Sequence, residues 1–282
     1  MEKDTRSKTA EATAAIRATH YVHGDRPLVF EDPFAIEFIG PDWREACLRG
    51  NELGQGGGAA IVLGRARYTE ELLNAAVLSG VKQYVILGAG LDTFALRRPD
   101  LTAMIRIYEV DHPETQAWKR DHLAKLGHEL PATLEFIPAD LEHETVAKAL
   151  SRSSFRSDQR AFFSCLGLMP YLSRDAIFHT LESIAAASAP SSEIVFDYRV
   201  SMQFIDPEDV PFVEVGDKFS AQGGEPKRSW LNPETLPDEI SAVGLVLIES
   251  MSPKQLWERY FAGRSDVGRP MSHQHYAHFR MR

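Results

Sequence analysis

The stretch QYVILGAGLDTFALR, Gln83 to Arg97, constrains the fold more than any other part of the chain. A continuous apolar run, Tyr84 to Leu87, stops at Gly88-Ala89-Gly90, and helix-forming residues follow Asp92-Thr93. An apolar run without polar alternation is what a strand buried on both faces requires. Glycine lets the turn after it adopt positive φ and brings backbone close to a ligand. Strand, glycine turn and helix in that order open an α/β unit of the kind that holds a nucleotide-like cofactor.

The rest of the chain repeats the alternation. Further strand candidates are Met104 to Asp111, Thr133 to Leu141, Arg160 to Leu172, Ser192 to Arg199, Leu245 to Met251 and Tyr276 to Met281. Helical segments between them are His112 to Leu126, His143 to Leu150, Arg174 to Ala187 and Pro233 to Val243. This order predicts an α/β protein with a mostly parallel seven-stranded sheet and helices on both faces. The last two strands are separated by Ser252 to His275, read as a long loop.

Residues 1–80 carry no strand signal and read as a helical N-terminal cap on a core of 81–282. Its helices are expected over 5–23, over Glu31 to Ile39 with Pro33 in the first turn, and over Ala59 to Leu78. Gly40-Pro41-Asp42 would stop the second helix, and Gly54 to Ala60 would act as a flexible joint. Within the core, about 201–231 fits neither strand nor core helix. It reads as a lid insertion, with Phe204, Phe212, Phe219 and Trp230 available to wall an apolar or aromatic acceptor.

Ligands of an open parallel sheet bind beyond the carboxyl ends of its strands. The first strand ends at Gly88 and Gly90. The second ends at Asp111, about twenty residues on, where an acid reaches a ribose diol. The third ends at Asp140-Leu141, an acceptor for an adenine amino group and an apolar neighbour for its ring. Thr93 stands where the dinucleotide fingerprint has its third glycine, and Asp92 stands where a pyrophosphate would come. An acid there repels a phosphate and tolerates a sulfonium, which favours S-adenosylmethionine over NAD. The bland alternatives are helix caps, Asp111 for the helix with Pro113 near its start and Asp140 for the helix near His143. A non-catalytic binding module and an NAD-dependent oxidoreductase are the other functional readings.

Composition removes several function classes. The 282 residues carry a formal net charge of −9, which argues against nucleic acid as partner. Two cysteines, Cys47 and Cys165, are too few and too far apart for a disulfide framework or a thiolate metal site. The start is polar, and no segment has the apolar length of a membrane span, so the expected location is cytoplasmic. Ten histidines include His20, His23, His112, His273, His275 and His278. None is set in a pattern that makes it a base, and His273-x-His275 is too little for a metal.

The motifs LGAGLDTFALR, EVDHPETQAWK, PADL and GLMPYL, in that order, resemble the leucine carboxyl methyltransferase family. The closer resemblance is to its bacterial branch of S-adenosylmethionine-dependent methyltransferases, which includes polyketide carboxyl O-methyltransferases of the tetracenomycin type. TAEATAAIRA and DPFA near the start extend it over nearly the whole chain. The resemblance implies the class I methyltransferase (Rossmann-like) fold, whose last strand enters antiparallel beside the fifth. It also implies O-methylation of a small organic acceptor, a carboxylate ahead of a phenolic hydroxyl. Gly88 would meet the methionyl part of the cofactor, Asp111 the ribose, and Asp140 and Leu141 the adenine. An arginine before the first strand would pair with the cofactor carboxylate: Arg67 matches better than Arg65, and Arg17 is a second candidate. One departure is Leu166, which stands where several members carry a glutamate.

Overall fold

In the computed structural model, residues 7–40, Glu45 and 57–282 are described. The stop at Pro41-Asp42, the first three residues of the glycine joint and Cys47 lie outside the described residues. The strands are β1 (Gln83–Leu87), β2 (Arg106–Asp111), β3 (Leu134–Pro138), β4 (Ala161–Cys165), β5 (Glu193–Arg199), β6 (Leu245–Met251) and β7 (Gln274–Met281). They form one sheet in the order β3-β2-β1-β4-β5-β7-β6. β1 to β5 run parallel, and β7 runs antiparallel between β5 and β6. This is the topology of the class I methyltransferases.

The sheet is covered on both faces because its central strands are apolar on both. Val85 and Leu87 of β1 join Phe163 of β4 and Phe196 of β5 in one buried cluster. Tyr84 and Ile86 turn the other way, with Phe162 and Val195, into a second cluster. Burial of this kind contributes roughly 1.5–3 kcal/mol per large apolar side chain, so the centre of the sheet is a rigid base for what lies at its edge.

The helices that matter for that edge are α1 (Lys8–His23), α2 (Ala35–Phe38), α3 (Gly58–Leu78), α4 (Pro113–Leu126), α5 (Val146–Leu150), α6 (Arg174–Ala186), α7 (Val210–Gln222), α8 (Leu236–Ser241) and α9 (Pro253–Tyr260). Ser7 caps α1, its hydroxyl accepting the Ala10 amide at 3.1 Å. Ile16 of α1 and Leu63, Tyr68 and Leu73 of α3 share a cluster with Tyr84 and Ile86 of β1, so both helices pack on the sheet itself.

Three expectations need correction. The helix expected over Glu31 to Ile39 is one turn, Ala35–Phe38, because Asp32 accepts the Ala35 amide at 3.0 Å and starts the turn after Pro33. The connection from β6 to β7 contains α9, opened by a capping box in which Ser252 and Gln255 bond each other's backbone amides. The segment expected as a lid without core structure contains α7, and its base is tied to the sheet edge by a bridge between Val200 and Leu231.

Candidate active site

The carboxyl ends of β1 to β4 and the start of β7 open into one cavity of about 880 Å³. That is ample for a drug-sized ligand. β7 contributes from its first residues because it is antiparallel, with Gln274 opposite Arg199 of β5. The near wall comes from α1 and α3, and the segment Gly224 to Arg228 closes part of the far side.

The first end is built from β1, β2 and β3. Gly88 and Gly90 both hold positive φ, +66° and +48°, which other residues rarely adopt. The Asp111 carboxylate accepts the amide of Gly90, and that of His112 at 2.7 Å. Burial raises its carboxyl above the ordinary aspartate value, opposed by those two bonds. Asp111 is not the cap of α4; His112 is, its Nδ1 accepting the Glu114 amide. Asp140 follows β3, which ends earlier than expected, at Pro138. Its carboxylate accepts the Glu142 amide at 3.0 Å in a local turn, while α5 is capped by Thr145. Asp140 and Leu141 both line the cavity. Asp92 lines it too, and accepts the Phe94 amide at 2.6 Å.

The arginines correct the sequence reading. Arg67 is exposed and does not line the cavity; Arg65 does. Two residues along a helix turn a side chain by roughly 200°, so only one of the pair faces inward. Arg65 donates from Nη1 to Asp197 Oδ2 at 2.9 Å. Asp197 is fully buried and also accepts Gln274 Nε2 at 2.9 Å and the Gly167 amide at 2.5 Å. Gly167, at φ +70°, leaves the room this needs: a Cβ there would stand 2.8 Å from both Arg65 Nη atoms. Arg17 lines the cavity, donating from Nε to the buried Asp32 at 2.7 Å and from Nη2 to the Leu91 carbonyl at 2.7 Å.

The second end was not legible as a site. The Glu225 carboxylate takes the Thr9 hydroxyl at 2.6 Å, linking α1 to the far wall. The Arg228 amide donates to the Pro170 carbonyl at 2.7 Å and Ser229 Oγ to that of Met169 at 2.9 Å, holding the segment on the GLMPYL turn. Lys227, Tyr171 and His273 line this end. Burial lowers the His273 pKa to about 3, with Arg199 and Lys227 adding to the effect. Burial, then Arg199, also lowers the Lys227 pKa, and Asp217 opposes them. The expected aromatic wall is absent. Phe212, Phe219 and Trp230 are exposed and Phe204 packs against the core; none lines the cavity.

The donor set fits S-adenosylmethionine. A buried carboxylate stands at β2 for a diol, and two guanidinium groups stand beyond β1 and β4 for a carboxylate. Among the described residues, no group of three or more His, Cys, Asp or Glu could hold a metal, and no helix is long and apolar enough to cross a membrane.

Sheet order and cavity together define a class I methyltransferase. The profile of the leucine carboxyl methyltransferase family matches residues 10–185. The chain is 30% identical to YktD of Bacillus subtilis, named as a candidate S-adenosyl-L-methionine-dependent methyltransferase, over 99% of each. It is 32% identical to a Frankia alni protein of the same description over 70% of each. A candidate methyltransferase from Thermobifida fusca superposes with a TM-score of 0.65 at 14% identity, covering 99% of this chain and 97% of that one. A DUF574 family protein from Streptomyces avermitilis does so with 0.65 at 12% identity, covering 98% of each. The chain belongs to the leucine carboxyl methyltransferase family, and it is an S-adenosylmethionine-dependent methyltransferase.

Proposed function

We propose that the chain methylates an oxygen of a small organic acceptor, a carboxylate ahead of a phenolic hydroxyl. In this reading Asp111 holds the ribose, Asp140 and Leu141 the adenine, and Gly88 and Gly90 the methionyl part. Arg65, in place of Arg67, pairs with the cofactor carboxylate, assisted by Arg17. Bound S-adenosylmethionine supplies a methyl group on a sulfonium, ready for in-line displacement. The protein's share is to align the acceptor oxygen and exclude water. α1 and Gly224 to Arg228 serve as the cover over the acceptor, joined by the bond from Thr9 to Glu225.

One observation carries the preference for a carboxylate: among the described residues, the imidazole and the carboxylates of the second end are unsuited to take a proton from a hydroxyl, and Lys227 is paired with Asp217. The imidazole there, His273, is neutral and too weak a base, with its pKa near 3. The carboxylates are engaged, Asp197 by Arg65 and Gln274, Glu225 by Thr9, and Asp217 by Arg199 and Lys227. A carboxylate acceptor is ionised at neutral pH and gives up no proton. The test is transfer of labelled methyl from S-adenosylmethionine to a panel of aromatic acids and matched phenols. Base-labile ester product from the acids supports the reading. Stable ether from the phenols alone would overturn it.

A further inference from the structure

Behind the second end of the cavity lies a charge arrangement that methyl transfer to a single carboxylate does not use. Arg199, the last residue of β5, is 1% exposed and donates from Nη2 to Asp217 Oδ2 at 2.8 Å. Among the described residues, its Nε and Nη1 have no hydrogen-bond partner, nor has Nδ1 of His273. The guanidinium lies 5.2 Å from the ring centre of Trp230. The other oxygen of Asp217 pairs with Lys227 Nζ at 3.1 Å, and the Lys227 side chain is 16% exposed. A buried guanidinium and a half-buried ammonium therefore share one carboxylate, and Lys227 of the pair lines the cavity. An excess positive charge away from bulk water is costly unless an anion completes it. Glu225 is two residues away, but its carboxylate is taken up by the Thr9 hydroxyl and amide.

We propose that Lys227, pinned by Asp217 and backed by Arg199, is a subsite for a second acidic group of the acceptor, one that is not methylated. The inference rests on the reading of this end as the acceptor site. The charge balance of the reaction selects the non-reacting group. As the C–O bond forms and the C–S bond breaks, the electron pair of the latter stays on sulfur and the acceptor oxygen loses its negative charge. A lysine on that oxygen would stabilise the ground state more than the transition state and slow the step. A lysine on a group that keeps its charge costs nothing in the step and fixes the acceptor's orientation. The acceptor class is thus a small diacid, of which one carboxylate oxygen is methylated and the other carboxylate is held.

The test uses the full chain saturated with S-adenosylhomocysteine. Glutarate and isophthalate are titrated by calorimetry, each beside its dimethyl ester, into wild type, Lys227→Met and Lys227→Arg. In wild type each diacid should bind more tightly than its dimethyl ester by about tenfold, the scale of one charge-assisted bond. Met should abolish the preference and Arg restore most of it. Because neither carbon frame need suit the cavity, acetate and acetamide are added separately while the NMR signal of the Lys227 ammonium group is followed. A saturating shift with acetate and none with acetamide is expected. An unmoved Lys227 signal, or a diacid preference that survives Lys227→Met, overturns the proposal. So does a loss of S-adenosylhomocysteine affinity in Lys227→Met, which would give the lysine to the cofactor or the fold. If the Lys227 dependence holds but no acid is methylated, the carboxylate reading fails and the anion subsite stands.

Discussion

Asp111 and Arg65 are single side chains whose surroundings define what they can hold. The Asp111 carboxylate is oriented by two backbone amides, at Gly90 and His112, which fixes its position at the end of β2. Asp111→Ala should weaken S-adenosylmethionine binding by about 2–3 kcal/mol, the scale for charge-assisted bonds to a diol. Unchanged affinity on calorimetry would remove it from the site. Arg65 and Arg67 give a paired experiment. Arg65→Ala should reduce affinity for S-adenosylhomocysteine by about tenfold or more, while leaving methylthioadenosine, which lacks the carboxylate, nearly unaffected. Arg67→Ala should change neither. An equal loss for both ligands in Arg65→Ala would mean that its bond to Asp197 is its only role. The sequence could not separate these two arginines, because both stand in good helix formers before β1. What decides between them is the small gap at Gly167, which lies about a hundred residues away in sequence and accommodates the Arg65 guanidinium.

At the scale of elements, α7 shows where a pattern of residue types misleads. Phe212, Val215 and Phe219 recur at helical spacing, yet they are 57%, 62% and 46% exposed, while Val213 and Ser220 are the buried positions. Phe212→Ser and Phe219→Ser should leave turnover within about twofold and stability within about 0.5 kcal/mol, as exposed positions do. A large fall in turnover with intact cofactor binding would return these rings to the acceptor wall. The strands were legible because a parallel sheet buried on both faces writes itself as runs such as YVIL and FFSC. The glycines and acids were legible because the fold puts ligand groups at strand ends. α9 has a readable signal in Ser252-Pro253-Lys254-Gln255, which combines a capping box with proline at the first helical position. Lys227 had none. Its environment is assembled from β5, α7 and the turn at Met169 to Tyr171, which only the tertiary fold brings together.

For the whole molecule, the buried histidines set how the fold responds to acid. Burial lowers the pKa of His20 from 6.5 to about 4, that of His273 to about 3 and that of His275 to about 4. They lie in separate places, His20 in α1 beside Asp266 and the other two at the start of β7. In the unfolded chain all three take up protons as pH falls through about 6.5. In the fold they stay neutral until pH reaches their lowered values. The unfolded state therefore binds more protons in that window, and stability falls as pH falls through it. Two buried carboxyls act in the other sense. Burial raises Glu109 and Asp111, so the fold holds their protons more readily than the unfolded chain does. The stability they contribute is present at low pH and lost as pH rises through their raised values. The histidine effect should dominate above the carboxylate range, because there the unfolded imidazoles titrate first. We expect the thermal midpoint of the cofactor-free protein to decline from pH 6.5 toward pH 4.5. His275→Gln should flatten that decline by up to about 1.4 kcal/mol per pH unit, the slope for one proton. A midpoint that follows pH identically in wild type and His275→Gln would show that this imidazole is already protonated in the fold, and that its burial at the sheet's carboxyl edge exerts no control over its charge.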